Sequence, residues 1–206
     1  MNDNIFRYQR NSSAIPNVIF ALLIANGLVF ALQKFYPGLM QHYFALWSTT
    51  DPYARFELWQ LLTYGFLHGD VMHIAFNMFA LWMFGSDIER LMGSQRFLTY
   101  YLVCVVGAAL VQLLVAKFQG GFYPTIGASG GVFGILLAYG MSFPNRTVML
   151  IFPPIPMKAK YFVLFYGLLE LYLGISGSAP GVANFAHLGG MLFGFMLLRY
   201  WTHIRK

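Results

Sequence analysis

Long apolar runs separated by glycine- and proline-marked breaks dominate this chain, and they are continuous, without the every-second-residue alternation of a membrane barrel strand. Six runs are candidate spans. They are Pro16 to Tyr36, ended by Pro37 and Gly38; Val71 to Ser86; Phe97 to Ala116; Ser129 to Phe143, stopped by Pro144, Asn145 and Arg146; Ala159 to Ile175; and Ala183 to Trp201. A bilayer-crossing helix uses about 20 residues. The pattern therefore predicts an all-α polytopic membrane protein, a six-helix bundle over residues 16–201 with short tails at 1–15 and 202–206. The first run lacks a cleavage-like ending and reads as a retained span, not a signal peptide. No internal repeat or low-complexity segment interrupts the series.

Composition supports the lipid setting. Of 206 residues, 58% are hydrophobic and 10% charged, with a mean hydropathy of +0.60. About a quarter of an ordinary soluble domain is charged. The single cysteine, Cys104, excludes an intramolecular disulfide or a cysteine-rich metal site, and reads as core packing. The net charge of +6 would suggest nucleic acid in a soluble protein; here the positive-inside rule accounts for it, and no nucleic-acid partner is expected. With a cytoplasmic amino terminus, ten basic residues lie inside: Arg7, Arg10, Arg90, Arg96, Arg146, Lys158, Lys160, Arg199, Arg205 and Lys206. Only Lys34, Arg55 and Lys117 lie outside, so both termini are expected to be cytoplasmic. The outer segment from Pro37 to Leu67 is too polar to span. Its Trp47, Tyr53, Phe56, Trp59, Tyr64 and Phe66 suit headgroup depth, either as an anchor or in admitting substrate. The other outer connection, Ser176 to Gly181, is short, uncharged and glycine-rich.

Polar residues inside spans are costly, and here they cluster. Spans two, four and six all start at the outer face. His68, Asp70, His73 and Asn77 lie near the start of the second, Ser129 at the start of the fourth, and Asn184 and His187 near the start of the sixth. At 1.5 Å per residue against about 30 Å of hydrocarbon, Ser129 comes roughly 8 Å and His187 roughly 12 Å below the outer boundary. Gly190 and Gly194 share the helical face of His187, and Gly130, Gly131 and Gly134 thin the fourth span, which permits close helix packing. The chemistry that fits is acyl transfer: Ser129 as nucleophile and His187 as general base and acid. Backbone N–H groups at Ser129, with Asn77 and His73 one helical turn apart, would form an oxyanion hole. No carboxylate lies near His187 within the sixth span, which favours a dyad, with Asp70 left as a possible orienter. Protonating His187 would remove the base, so activity is expected to fall on acidification.

These residues match a family pattern. His73-Ile74-Ala75-Phe76-Asn77, Gly127-Ala128-Ser129-Gly130 and Ala186-His187-Leu188-Gly189-Gly190, with Gly194 beyond, in that order and on those spans, resemble the rhomboid intramembrane serine proteases. The resemblance covers Pro16 to Trp201, and the six-span core is similar to bacterial members. It implies a six-transmembrane-helix rhomboid-like bundle in a bacterial inner membrane, with the site near the outer face. It also implies a Ser129–His187 dyad, Asn77 and His73 in the oxyanion hole, and supporting roles for Gly127, Phe133, Gly190 and Gly194. Pro37–Leu67 would be the embedded outer loop, Ser176–Val182 a mobile cap, and Glu89 an acidic position at the inner end of span two. Two positions depart from the pattern: Gln60 stands where an arginine follows the loop tryptophan, and Phe133 where a tyrosine often stacks on the histidine.

The implied activity is hydrolysis of peptide bonds in or beside transmembrane segments of membrane-protein substrates, without a cofactor or metal. Cleavable segments should unwind easily near the outer surface, helped by glycine or proline, and the resemblance implies a small residue before the scissile bond. Three other readings compete. A metal centre at His68, Asp70, His73 and His187 lacks the usual two histidines four apart. A non-catalytic rhomboid-like protein that binds membrane clients would lack the serine or histidine present here. A transporter would carry mid-membrane charge, for which Glu170 is the one candidate; a structural hydrogen bond or a place lining a water cavity suits it better.

Overall fold

The structure is a computed structural model that describes residues 15–52, 54–119, 124–149, 154–178 and 181–203. The basic tail residues Arg7, Arg10, Arg205 and Lys206, Tyr53, and part of the Ser176–Val182 connection lie outside the described residues.

The six expected spans are helices α1 (Asn17–Phe35), α4 (Val71–Met92), α5 (Ser94–Gln119), α6 (Ser129–Ser142), α7 (Ala159–Ser176) and α8 (Asn184–His203). Short helices α2 (Pro37–Phe44) and α3 (Gln60–Thr63), and a 3-10 turn at Tyr64–Phe66, occupy the outer segment. The fold is an all-α polytopic bundle. By length and apolar composition, α1, α4, α5 and α7 are able to cross a membrane. α6 has 14 residues, about 21 Å of helix, and α8 carries Asn184 and His187 at one end and Arg199 at the other. Phe20, Ile24, Leu28 and Leu32 form an exposed stripe along α1, four residues apart, that water would penalise and lipid accepts.

Two helices extend past their expected bounds. α4 continues through Asp87, Glu89 and Arg90 to Met92 and stops at Gly93, whose φ of 81° suits glycine; α5 begins at the next residue. The charges are tolerated because each is engaged. Asp87 pairs with Arg146 and Arg90. Glu89, buried, accepts from the backbone N–H groups of Val18 (3.0 Å) and Ile19 (2.8 Å) and from Ser94 Oγ (2.6 Å). It thus caps the first turn of α1, whose N–H groups have no partner within their own helix. A further departure from an all-helical chain is a small antiparallel hairpin between α6 and α7, β1 (Thr147–Met149) with β2 (Pro156–Lys158).

α6 is the central element, with α4, α5, α7 and α8 packed around it. Nine of its residues are buried, four of them glycine. A Cβ on Gly130 would strike Ala108, on Gly131 Tyr101, and on Gly134 Cys104, so these glycines bring α5 against α6. Buried tyrosines secure the contact: Tyr100 OH donates to the Gly134 carbonyl and Tyr64 OH to the Val105 carbonyl, both at 2.8 Å.

The outer segment is fastened to the bundle. Leu46 and Thr125 exchange two backbone hydrogen bonds, and Gly127 N–H donates to the Tyr64 carbonyl at 2.9 Å. Gln60 is buried, accepts from the Trp47 N–H (3.2 Å) and donates to the Tyr43 carbonyl (3.4 Å), so an uncharged amide ties the loop where the resembled pattern has an arginine. Gln33 of α1 clamps the backbone of His68 at both N–H and carbonyl, fixing the chain just before α4.

Candidate active site

The N-terminal ends of α4, α6 and α8 converge. Asp70 caps α4 by accepting from the His73 N–H at 2.8 Å, and it engages that backbone, not the ring of His187. α6 begins at Ser129, immediately after Gly127, whose φ of 126° is open to glycine alone. A Cβ at Gly127 would also press on the His73 ring, so the absent side chain lets His73 approach the start of α6. α8 lies against α6 so tightly that a Cβ on Gly190 would overlap the Gly130 carbonyl, while one on Gly194 would strike Tyr100 and Cys104.

That contact brings the two key side chains together: His187 Nε2 and Ser129 Oγ are 2.7 Å apart. Phe133, one turn beyond Ser129, stacks on the His187 ring with centroids 4.4 Å apart and planes 4° from parallel. The ring is thereby held in one plane while its edge remains available to the hydroxyl. Asn77 is buried and donates to the His73 carbonyl at 2.9 Å, leaving its second amide hydrogen uncommitted by that bond. His73 Nδ1 accepts from the Gly69 N–H at 3.3 Å, which leaves the ring's hydrogen on Nε2, the atom facing Gly127. Being at the first position of α6, Ser129 has a backbone N–H with no partner in its own helix.

Sequence reasoning missed one neighbour of His187. Glu170, on α7, places Oε2 2.9 Å from His187 Nδ1, off the line of the ring N–H, and the same oxygen accepts from Asn184 Nδ2 at 2.6 Å. Span six itself carries no carboxylate near His187, and Asp70 was the orienter left open; the carboxylate beside the ring comes from span five. Asn184, three residues before His187 on the same face, was the available hint. Among the described residues, no three His, Cys, Asp or Glu side chains are placed to share a metal ion.

His68 lies just outside α4, with both ring nitrogens buried and unpartnered and its ring 5.0 Å from that of His73. Burial, reinforced by the charge of His73, pushes its imidazole down to about 4. A histidine in the unfolded chain titrates near 6.5. Between these values the unfolded chain takes up a proton that the folded chain refuses, so stability falls as pH drops from about 6.5 to about 4, by about 3 kcal/mol in all. Thermal melts in detergent from pH 7 to pH 4 should show that slope, and His68→Gln should flatten it. Equal slopes in the two proteins would remove His68 as the source.

The chain is similar to known proteins. Residues 55–203 match the rhomboid domain family. Rhomboid protease GluP of Bacillus subtilis (strain 168) is 36% identical over 144 residues, covering 69% of this chain and 26% of that protein. The mitochondrial presenilin-associated rhomboid-like protein of Mus musculus is 30% identical over 210 residues, 97% of this chain and 52% of that protein. The mitochondrial rhomboid protein 1 of Saccharomyces cerevisiae (strain ATCC 204508 / S288c) is 29% identical over 197 residues, 92% of this chain and 54% of the other. The chain thus spans about a quarter of the Bacillus protein and about half of the two mitochondrial ones.

Proposed function

The chain belongs to the rhomboid family, and on that premise we propose that it is an intramembrane serine endopeptidase cutting membrane-protein substrates in or beside their transmembrane segments. The observation that carries this reading is the 2.7 Å approach of His187 Nε2 to Ser129 Oγ at the convergence of three helix ends. In the first step His187 Nε2 takes the Ser129 hydroxyl proton while Oγ bonds to the scissile carbonyl carbon. The negative oxygen that develops is met by the Ser129 N–H, the second hydrogen of Asn77 Nδ2 and His73 Nε2–H. Collapse breaks the C–N bond, His187 returns its proton to the departing amine, and water then hydrolyses the acyl-serine by the same route. Serine and histidine perform the whole transfer, so no cofactor enters.

The membrane setting restricts the substrate. A helical segment hides its carbonyls in hydrogen bonds and must unwind before attack, which favours glycine or proline near the cut. Access is from the side: α4 and α7 meet at Phe84 and Phe162, rings 5.8 Å apart, while Phe76 and Phe79 of α4 and Leu168 and Leu171 of α7 stand exposed nearer the site. The charge bias supports cytoplasmic termini and a site toward the outer face, and the resemblance to six-span bacterial members favours a bacterial inner membrane as the location.

The test is cleavage in proteoliposomes of a single-span substrate with a small residue before a glycine in the outer part of its segment. Mass spectrometry should locate the cut within or next to that segment; cleavage confined to distant soluble regions, or none, would contradict the reading. Asn77→Ala should lower the rate by about 10²–10³, the usual cost of one oxyanion donor. An unchanged rate would remove Asn77 from the hole.

A further inference from the structure

We propose that Glu170 is a positioning residue for His187, so that the proton acceptor is a chain of three side chains, Ser129, His187 and Glu170, drawn from α6, α8 and α7. The inference rests on the serine-endopeptidase reading and extends it. Glu170 is a nearly buried carboxylate within a membrane-spanning helix, a placement that demands a compensating role. A structural bond to Asn184 would account for one contact. It leaves unexplained why the same oxygen also lies 2.9 Å from His187 Nδ1.

Chemistry supplies the explanation. To accept the Ser129 proton at Nε2, the neutral imidazole must carry its hydrogen on Nδ1. A carboxylate beside Nδ1 favours that tautomer and then stabilises the imidazolium formed when the proton arrives. In the resting geometry the oxygen lies off the N–H axis. A rotation of the ring within its own plane aligns the pair without breaking the stack on Phe133, and such contacts commonly tighten only as the reaction proceeds. Asn184 fixes the carboxylate from the other side. Its place one turn before His187 means that one helix face holds both the base and the clamp on its partner.

The ionisable groups that face His187 are Glu170 from α7 and His73 from α4; α6 presents Ser129 and Phe133, and α5 contributes Tyr100 and Cys104 against Gly194, further along α8. Glu170 is the one carboxylate among these groups, so its charge should show in the pH profile. The experiment compares wild type, Glu170→Gln and Glu170→Asp in proteoliposomes, measuring kcat and KM for a cleavable single-span substrate from pH 5 to pH 9. Rates are referred to folded protein, and Ser129 is labelled in parallel with a fluorophosphonate. Glu170→Gln should lower kcat by about 10²–10⁴ with KM nearly unchanged. Its acidic limb should move to lower pH, because the imidazolium loses its counter-charge. Glu170→Asp should recover part of the rate and the position of that limb. A Gln variant with wild-type kcat and an unmoved limb, or losses that follow the folded fraction alone, would overturn the proposal while the protease reading stands. Wild type that neither cleaves nor labels at Ser129 would overturn both.

Discussion

Ser129→Ala should abolish cleavage of a reconstituted transmembrane substrate, a fall on the order of 10⁶-fold, with the thermal melt close to that of wild type. Only one oxygen is removed, from a half-buried side chain at the start of α6, and the backbone N–H of residue 129 is retained. His187→Ala should cost a similar factor, since Ser129 Oγ then lacks the acceptor 2.7 Å away. The two losses should not multiply. Groups that act as one unit are redundant once either is gone, so the double variant should resemble each single one. Residual cleavage in Ser129→Ala within tenfold of wild type would exclude the serine as nucleophile.

Gly190→Ala should lower both stability and rate, although it touches no reacting atom. The new methyl group would overlap the Gly130 carbonyl, a backbone group that cannot rotate away, so α6 and α8 must separate. Overpacking of this kind costs about 1–3 kcal/mol. Catalysis should suffer more, because a displacement of about 1 Å between nucleophile and base lowers the rate on the order of 10²-fold. Gly27→Ala on α1, where a Cβ meets nothing within 4 Å, is the matched control and should be neutral or slightly stabilising. Paired melts and cleavage rates for both variants provide the check. Wild-type rate and stability in Gly190→Ala would show that close approach of these helices does not set the site.

Much of this fold is legible in the chain because lipid imposes a simple rule: each span must be apolar for most of its length, and each polar group within it stands out. Thus Ser129, His187, Asn77 and His73 can be picked out by their positions at the starts of alternate spans, and the structure places them at one end of the bundle. Glycine spacing likewise points to the α6–α8 contact. The rest depends on contacts between helices that sequence order does not express. Glu170 reads as an isolated charge because its partners lie across the connection to α8, and nothing in span five alone tells which way that face turns. Glu89 reads as the inner end of a span, yet it caps a helix some 70 residues earlier in the chain. Gln60 reads as a departure from a pattern until its bonds to Trp47 and Tyr43 show an amide tying the loop together. The β1–β2 hairpin is three residues a side, too short to announce itself by alternation.

The most direct test of the account is the position of a covalent adduct. Purified protein in detergent, treated with a fluorophosphonate and digested, should carry the label on Ser129, and His187→Ala should abolish it while folded protein remains. Label on another serine, or undiminished label in the histidine variant, would mean that no proton passes between α6 and α8, and the assignment of a serine endopeptidase would fall.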